Sequence, residues 1–305
     1  MRAITVRDRE ADGYGLSLTE LPYPHAAEND VIVEVHAAGF IRTEPDWPAT
    51  WTDRAGRDRT PSVIGHEVSG VVVELGYGTT GLRIGQRVFG LTDWARNGSL
   101  AEYTAVEARN LAPLPADIDH VTGAALPMPG LTAWQALFDH AHLQAGQSVL
   151  IHGAGGSVGS VAVQLARETG AHIIGTGRTA DRDLVSSLGA QEFLDLDSDR
   201  LEDAGEVDVV FDVIGGEIRD RSTALLRPGG TLVSVAEPPT VHPRDGRSIF
   251  FVVEPHREQT AQFAARVRDG RLTPLVTAVR DLDAVPATFA ERTRGKTIIA
   301  MKPQP

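Results

Sequence analysis

The chain has 305 residues, 42% of them hydrophobic, with 31 glycines, 18 prolines and no cysteine. Acidic residues outnumber basic ones by 41 to 29, a formal charge of −12 that repels nucleic-acid phosphates and anionic lipid. Disulfides and every cysteine-bearing zinc framework are excluded outright, and the length calls for one large or two medium domains.

The N-terminal stretch "MRAITVRDRE" is charged from its second residue and lacks the apolar core of a signal peptide. Apolar runs such as "VVFDVI" are too short to cross a bilayer, so a soluble, cytoplasmic protein is expected. The first ~115 residues read as short strands separated by glycine and proline turns. Strands are expected at Val31–Val35, Val68–Leu75 and Gln86–Leu91. The segment "GHEVSG" (Gly65–Gly70) sets a histidine beside a glutamate between two glycines, which raises the question of a metal centre. "AEYTAVEARNLAPLP" reads as a strand leaving this region, and its prolines mark a boundary near Pro115.

Beyond that boundary the rhythm changes. "SVLIHG" (Ser148–Gly153) is a continuous apolar strand of the kind buried on both faces. The next segment spaces Val158, Val161, Ala162 and Leu165 along one helical face. Strand "HIIGTG", a helix through "DRDLVSSLGA" and strand Val207–Val213 follow, then a helix through "EIRDRSTALLRPGG", strand "TLVSVA" and strand Ser248–Val253. This alternation predicts an α/β fold with a Rossmann-type, doubly wound parallel sheet. A helix over "HREQTAQFAARVRDG" leads to a last strand, "KTIIAMK", in a segment suited to rejoin the first domain.

The turn in "IHGAGGSVGS" sits between a buried strand and a helix, where a phosphate cradle belongs. Gly153 permits the tight turn, Gly156 close approach of a pyrophosphate, and Gly159 close helix–strand packing. Gly155, Ser157 and Val158 complete the cradle at the helix N-terminus. At the end of the second strand, "GTGRTADR" (Gly175–Arg182) brings no carboxylate before Asp181. Gly177 leaves room there, Arg178 offers a fork for a 2′-phosphate, and Thr179 adds a hydroxyl. NADPH is therefore the expected cofactor, with a solvated loop arginine as the bland alternative for Arg178.

Together the segments "GHEVSGVVVELG", "GLTAWQAL", "GAGGSVGSVAVQLAR", "VVFDVIGGE", "LRPGGTLVSV" and "GKTIIAMK" resemble the medium-chain dehydrogenase/reductase family, in its zinc-free quinone oxidoreductase branch. The resemblance implies a GroES-like β-barrel domain made from both termini, over residues 1–118 and 257–305. It implies a Rossmann domain over 119–256 and an active-site cleft where the two meet. It places Val213 and Ile214 beside the cofactor ribose, and Val235 and Ala236 beside the nicotinamide carboxamide. A homodimer is expected, with the "SIFFVV" strand pairing at a sheet edge.

In zinc-dependent relatives of this kind, a cysteine stands where this chain has Ile41, a histidine matches His66, and a second cysteine stands at Met128. One imidazole with an aliphatic and a thioether neighbour is a poor zinc site, so no metal is expected. His66 is left between a hydrogen-bonded corner residue and a group near substrate. Thr43 matches a hydroxyl that contacts substrate oxygen, and Glu44 an acidic position that orients the loop. The aromatic residues Trp47, Trp51 and Trp94 suit either a wall for flat acceptors or the core. The loop "LTDWARNGSLAEY", with Asn97, Gly98 and Ser99 at its tip, resembles one that closes over the cleft. The expected activity is hydride transfer from NADPH to a quinone or α,β-unsaturated carbonyl. The alternatives are an alcohol/ketone oxidoreductase of the same fold and a non-catalytic NADPH-binding protein.

Overall fold

In the computed structural model, which describes residues 1–289, 291 and 294–301, the chain divides into two compact units. The first comprises Met1–Pro127, Pro255–Arg268 and Val276–Pro305; the second comprises Met128–Glu254 and Asp269–Leu275.

With strands numbered in chain order, the first unit contains a seven-stranded sheet. Its order is β15 (Val276–Asp281), β16 (Lys296–Ala300), β3 (Asp30–Phe40), β5 (Glu67–Leu75), β6 (Arg87–Leu91) and β8 (Leu111–Pro113), and β7 (Tyr103–Glu107) also pairs with β3. The C-terminal strand β16 runs antiparallel to β3, with Thr297 opposite Phe40 and Ala300 opposite Ala37. A strand from the far end of the chain therefore lies inside a sheet begun by the N-terminal residues. A smaller sheet of β2 (Ser17–Glu20), β1 (Arg2–Val6) and β4 (Ser62–Val63) adjoins it in sequence. Alternating apolar positions such as Val31, Val33 and Val35 meet Val68, Val72 and Val88 in one buried cluster, as the period of two in a strand dictates.

The second unit is built on six parallel strands, in the order β11 (Glu192–Asp195), β10 (His172–Gly177), β9 (Ser148–Ile151), β12 (Val207–Asp212), β13 (Leu226–Ser234) and β14 (Gly246–Phe250). The first strand in sequence, β9, lies mid-sheet beside β12, so the winding reverses between them. Ligands of such sheets bind outside the strand C-termini at that reversal. Leu150, Ile174, Val207, Val210 and Leu232 form the core of this unit.

Three local expectations change. The helix expected through "EIRDRSTALLRPGG" stops at Ser222, a short 3₁₀ turn covers Thr223–Leu225, and β13 already starts at Leu226. Pro228 has no N–H and cannot continue a helix; the ladder absorbs it in a register shift opposite Val207 and Val209. Strand β11 was not anticipated, because "EFLD" is short and half charged. The last strand of the sheet ends at Phe250 rather than Val253. Among the described residues no helix is long and apolar enough to cross a membrane.

Candidate active site

The glycine turn has the geometry of a phosphate cradle. Gly153 takes φ +67°, and a Cβ there would lie 2.8 Å from the Val213 side chain. A Cβ on Gly159 would lie 2.2 Å from the Gly153 carbonyl oxygen, so the helix Ser157–Thr169 can meet the turn only through a bare Cα. Its N-cap is Gly156, extended at φ −85°, with no side chain to cap the first turn. The leading N–H groups of Ser157, Val158 and Gly159 thus point outward with the positive end of the helix dipole, a ready anion site.

At the end of β10 the residues sort differently from their order in sequence. Arg178 is exposed, and no ion pair ties its guanidinium to a described residue. Its N–H donates to the Asp181 carboxylate at 3.0 Å. That carboxylate folds back over the turn, so close to Gly155 that a Cβ there would lie 2.5 Å from the Asp181 Cγ. Thr179 is committed elsewhere: its hydroxyl donates to Asp195. A second cation, Arg182, stacks 4.9 Å over the Phe193 ring and reaches Asp199 at 3.5 Å. Sequence order alone had concealed both the return of Asp181 and the nearness of Arg182.

The C-terminal end of β12 lies against the same turn, since Val213 and Ile214 both approach Gly153. Buried Asp212 accepts from the N–H groups of Ile214 and Gly215 and from the Ser234 hydroxyl at 2.7 Å. Beside it, Arg219 is 2% exposed and grips Asp220 at 2.7 Å and Glu237 at 3.0 Å, with the Pro238 carbonyl at 3.1 Å. The Glu237 carboxylate in turn accepts the Gly216 N–H at 2.7 Å. This network fastens the loop after Val235 and Ala236 to the helix Gly216–Ser222. Beneath the turn, His152 bridges Thr176 at 2.9 Å and Ser222 at 2.7 Å, and burial lowers its pKa to about 4. Sequence reading missed Arg219, Asp212 and His152. A buried arginine two residues from an exposed one, Arg221, carries no linear signal.

In the first unit, Thr43 is exposed and its hydroxyl has no partner among the described residues, while its carbonyl accepts from Asp46 at 3.0 Å. Adjacent Glu44 is 1% exposed; one carboxyl oxygen accepts the Gly65 N–H at 2.5 Å and the other has no partner among the described residues. Burial, with the Glu67 charge adding to it, pushes this carboxyl up to about 8. It is therefore a neutral acid, bonded to the strand segment that carries His66. The His66 imidazole is 3% exposed, and its Nδ1 lies 2.8 Å from the Thr92 hydroxyl. Burial, then the Arg59 guanidinium, lowers its pKa to about 3, so the ring stays uncharged. Trp47 stacks parallel to it at 6.3 Å and Trp94 meets it edge-on at 4.8 Å.

Two further segments of this unit are fixed by their partners. Trp51 belongs to the core: it is 7% exposed and its indole N–H donates to the Pro45 carbonyl at 2.7 Å. The segment at Asn97–Ser99 is no open flap, because Gly98, Ser99 and Leu100 bond the carbonyls of Val63, Gly65 and Ile64 at 2.6–3.0 Å. Glu67, the histidine's neighbour in "GHEVSG", forms a buried ion pair with Lys296, their side chains 0% and 4% exposed.

Comparison with known proteins agrees with this arrangement. Residues 27–116 match the alcohol dehydrogenase GroES-like domain, and residues 157–256 the family described as zinc-binding dehydrogenase. The chain belongs to the medium-chain dehydrogenase/reductase family. It is 37% identical, over 79% of its length, to the spectinabilin polyketide synthase system protein NorB of Streptomyces orinoci, of which it spans only 12%. It is 32% identical to the chloroplastic NADPH-dependent alkenal/one oxidoreductase of Arabidopsis thaliana, covering 83% of this chain and 66% of that one. The solved quinone oxidoreductase of Coxiella burnetii superposes with a TM-score of 0.89 at 25% identity, covering 99% of both chains.

As a medium-chain dehydrogenase/reductase, the protein uses a nicotinamide cofactor, and the cradle at Gly153–Gly159 fits its pyrophosphate. Zinc does not fit. Ile41 and Met128 stand at the positions the resemblance gives to cysteine ligands. His66 is bonded to Thr92, flanked by indoles and close to a guanidinium, and Glu67 is taken up by Lys296. A divalent cation here would meet one imidazole and a repelling positive charge.

Proposed function

We propose that the protein is an NADPH-dependent oxidoreductase that delivers hydride to the conjugated carbon of a quinone or α,β-unsaturated carbonyl without a metal. The observation that carries this reading is the setting of His66, a neutral imidazole held by Thr92 between Trp47 and Trp94 with a guanidinium nearby. Direct reduction of a simple carbonyl concentrates charge on one oxygen and calls for a strong electrophile. Conjugate addition spreads that charge over an enolate, for which positioned hydrogen-bond donors and a proton suffice. Relatives named as alkenal/one oxidoreductase and quinone oxidoreductase support the same chemistry.

The bound nicotinamide would supply the hydride. Gly153, Gly155, Gly156, Ser157, Val158 and Gly159 would hold its pyrophosphate, and Val213 and Ile214 would border its ribose. The loop at Val235 and Ala236, fastened by Arg219, would offer backbone groups to the carboxamide. Thr43 is the proposed donor to the enolate oxygen. Glu44 orients the Thr43 loop through its bond to Gly65, and His66 serves as an uncharged wall.

The deciding experiment follows NADPH oxidation against a quinone, an enone, an alkenal, an enoyl thioester and a simple ketone, with products identified. Reduction confined to the ketone would overturn the reading, and tight NADPH binding without turnover on any acceptor would favour the non-catalytic alternative. Replacing Thr43 by Ala should lower kcat while leaving the KM for NADPH unchanged. For the coenzyme, Arg178 favours the 2′-phosphate of NADPH, whereas Asp181, folded over Gly155, favours the ribose hydroxyls of NADH as a second reading. Arg178→Ala should cost NADPH roughly tenfold in kcat/KM, as loss of one charge-assisted contact does, and leave NADH untouched. If Asp181→Ala instead impairs NADH alone in an enzyme that prefers it, the second reading holds.

The edge strand β14 carries Phe250, 39% exposed, and is followed by Val252, 61% exposed. An open parallel edge with apolar side chains supports a homodimer through that strand.

A further inference from the structure

The first unit holds a pocket of about 560 Å³ that shares with the site above only Arg59, the guanidinium near His66. Arg59, Arg96 and His25 line it, together with Asn97, Tyr103 and Thr104. Among the residues lining it there is no aspartate or glutamate, although the chain carries 41 of them against 29 basic residues. A cationic hollow of this kind on an acidic protein runs against its overall field and so selects an anion from solution.

The polar groups around it are incompletely used. Arg59 directs one guanidinium nitrogen to the carbonyls of Ala49 and Trp94, and no ion pair joins it to a described residue. Half-buried, its pKa is lowered first by desolvation and raised only partly by Asp93 and Asp53. Asp93 itself is bonded to Arg54 at 2.6 Å. Arg96 grips buried Asp30 with both terminal nitrogens, at 2.9 and 2.5 Å. Asn97 accepts the Val63 N–H through its carbonyl oxygen at 3.1 Å, which leaves its amide N–H₂ to donate. Thr104 itself is 2% exposed and turns its buried side chain to the strand face opposite Tyr103, away from the pocket. The Tyr103 ring, against which Tyr23 packs at 5.1 Å, and Pro22, Pro24 and Pro61 supply an apolar wall.

We propose that this pocket binds a small organic oxyanion, a carboxylate or phosphate ester. Its charge would be held by Arg59 and the Asn97 amide, and its body would lie against Tyr103 and the prolines. Planar guanidinium forks match such oxygens in pairs. Every lining residue belongs to the first unit, whereas the cradle proposed for the cofactor belongs to the second. The site therefore stands or falls separately from the coenzyme assignment.

The test is isothermal titration of the intact chain at low ionic strength with phenyl phosphate, benzoate and, as the neutral control, phenol. Saturable binding of one or both anions and none of phenol is expected; the anion that binds names the source. Asn97→Asp keeps the acceptor for Val63 but replaces the donor with a negative charge, and should weaken the anion at least about tenfold. Arg59→Gln removes the guanidinium and should weaken the anion by a similar factor. An anion held at the glycine turn would be indifferent to either substitution. Equal affinity in the wild type and in Asn97→Asp, with both folded by circular dichroism, overturns the proposal. So does the absence of saturable heat from both anions.

Discussion

Burial keeps both Glu44 and His66 neutral but moves their pKa values in opposite directions, and each leaves its own trace in stability. The Glu44 carboxyl, pushed up to about 8 from an ordinary 4.5, keeps its proton in the folded chain while the unfolded chain has lost it. The folded state binds more protons between those values, so this group's contribution is full below pH 4.5 and declines as pH rises to about 8. His66, lowered to about 3 from 6.5, acts in reverse: its contribution is full above pH 6.5 and declines as pH falls toward 3. Glu44→Gln should flatten the alkaline decline in chemical-denaturation profiles without changing the acid limb. An unchanged alkaline limb would show that Glu44 is ionised in the fold. Nearby, Lys296→Met would strand the Glu67 carboxylate in the core and should cost about 3–5 kcal/mol. The double change with Glu67→Leu should recover most of that loss, because well-packed apolar pairs replace buried ion pairs at little cost.

Among the elements, the strand–turn–helix from β9 to Thr169 decides cofactor binding. Gly159→Ala would drive a methyl group into the Gly153 carbonyl, 2.2 Å away, with neither backbone able to yield. Cofactor affinity should fall by orders of magnitude, and a stability loss of roughly 1–3 kcal/mol should accompany it, as overpacking brings. Near-normal NADPH affinity in that variant would show that the pyrophosphate lies elsewhere. Arg219→Lys keeps a charge but not the fork that holds Asp220, Glu237 and the Pro238 carbonyl. It should raise the coenzyme KM more than it lowers kcat, since it slackens the loop after Ala236 without touching Thr43.

For the molecule as a whole, the first unit depends on both ends of the chain, because β16 sits beside β3 within its sheet. The proposed dimer belongs to this scale: sedimentation at micromolar concentration should give twice the 32.7 kDa chain mass. Replacing Phe250 with Lys at the exposed edge should shift it to the monomer, while a monomeric wild type would remove β14 as the contact.

How much of this was legible in the sequence varies with the range of the interactions. The apolar runs at Ser148–Ile151 and Val207–Asp212 and the helical spacing of Val158, Val161 and Leu165 are local, and they announced the parallel sheet and its glycine turn. The absence of cysteine, with Ile41 and Met128 at ligand positions, already spoke against zinc. Other features needed the fold. Asp181 returns over Gly155, Thr179 turns to Asp195, Trp51 goes to the core while Trp47 and Trp94 flank His66, and the segment at Gly98 is stapled to Val63–Gly65. Arg219 took its importance from burial alone. Residue type and spacing fix what a side chain is able to do, but desolvation and partners arrive from strands distant in the chain. Those set whether a carboxyl keeps its proton, an imidazole its neutrality, or an arginine its freedom to bind.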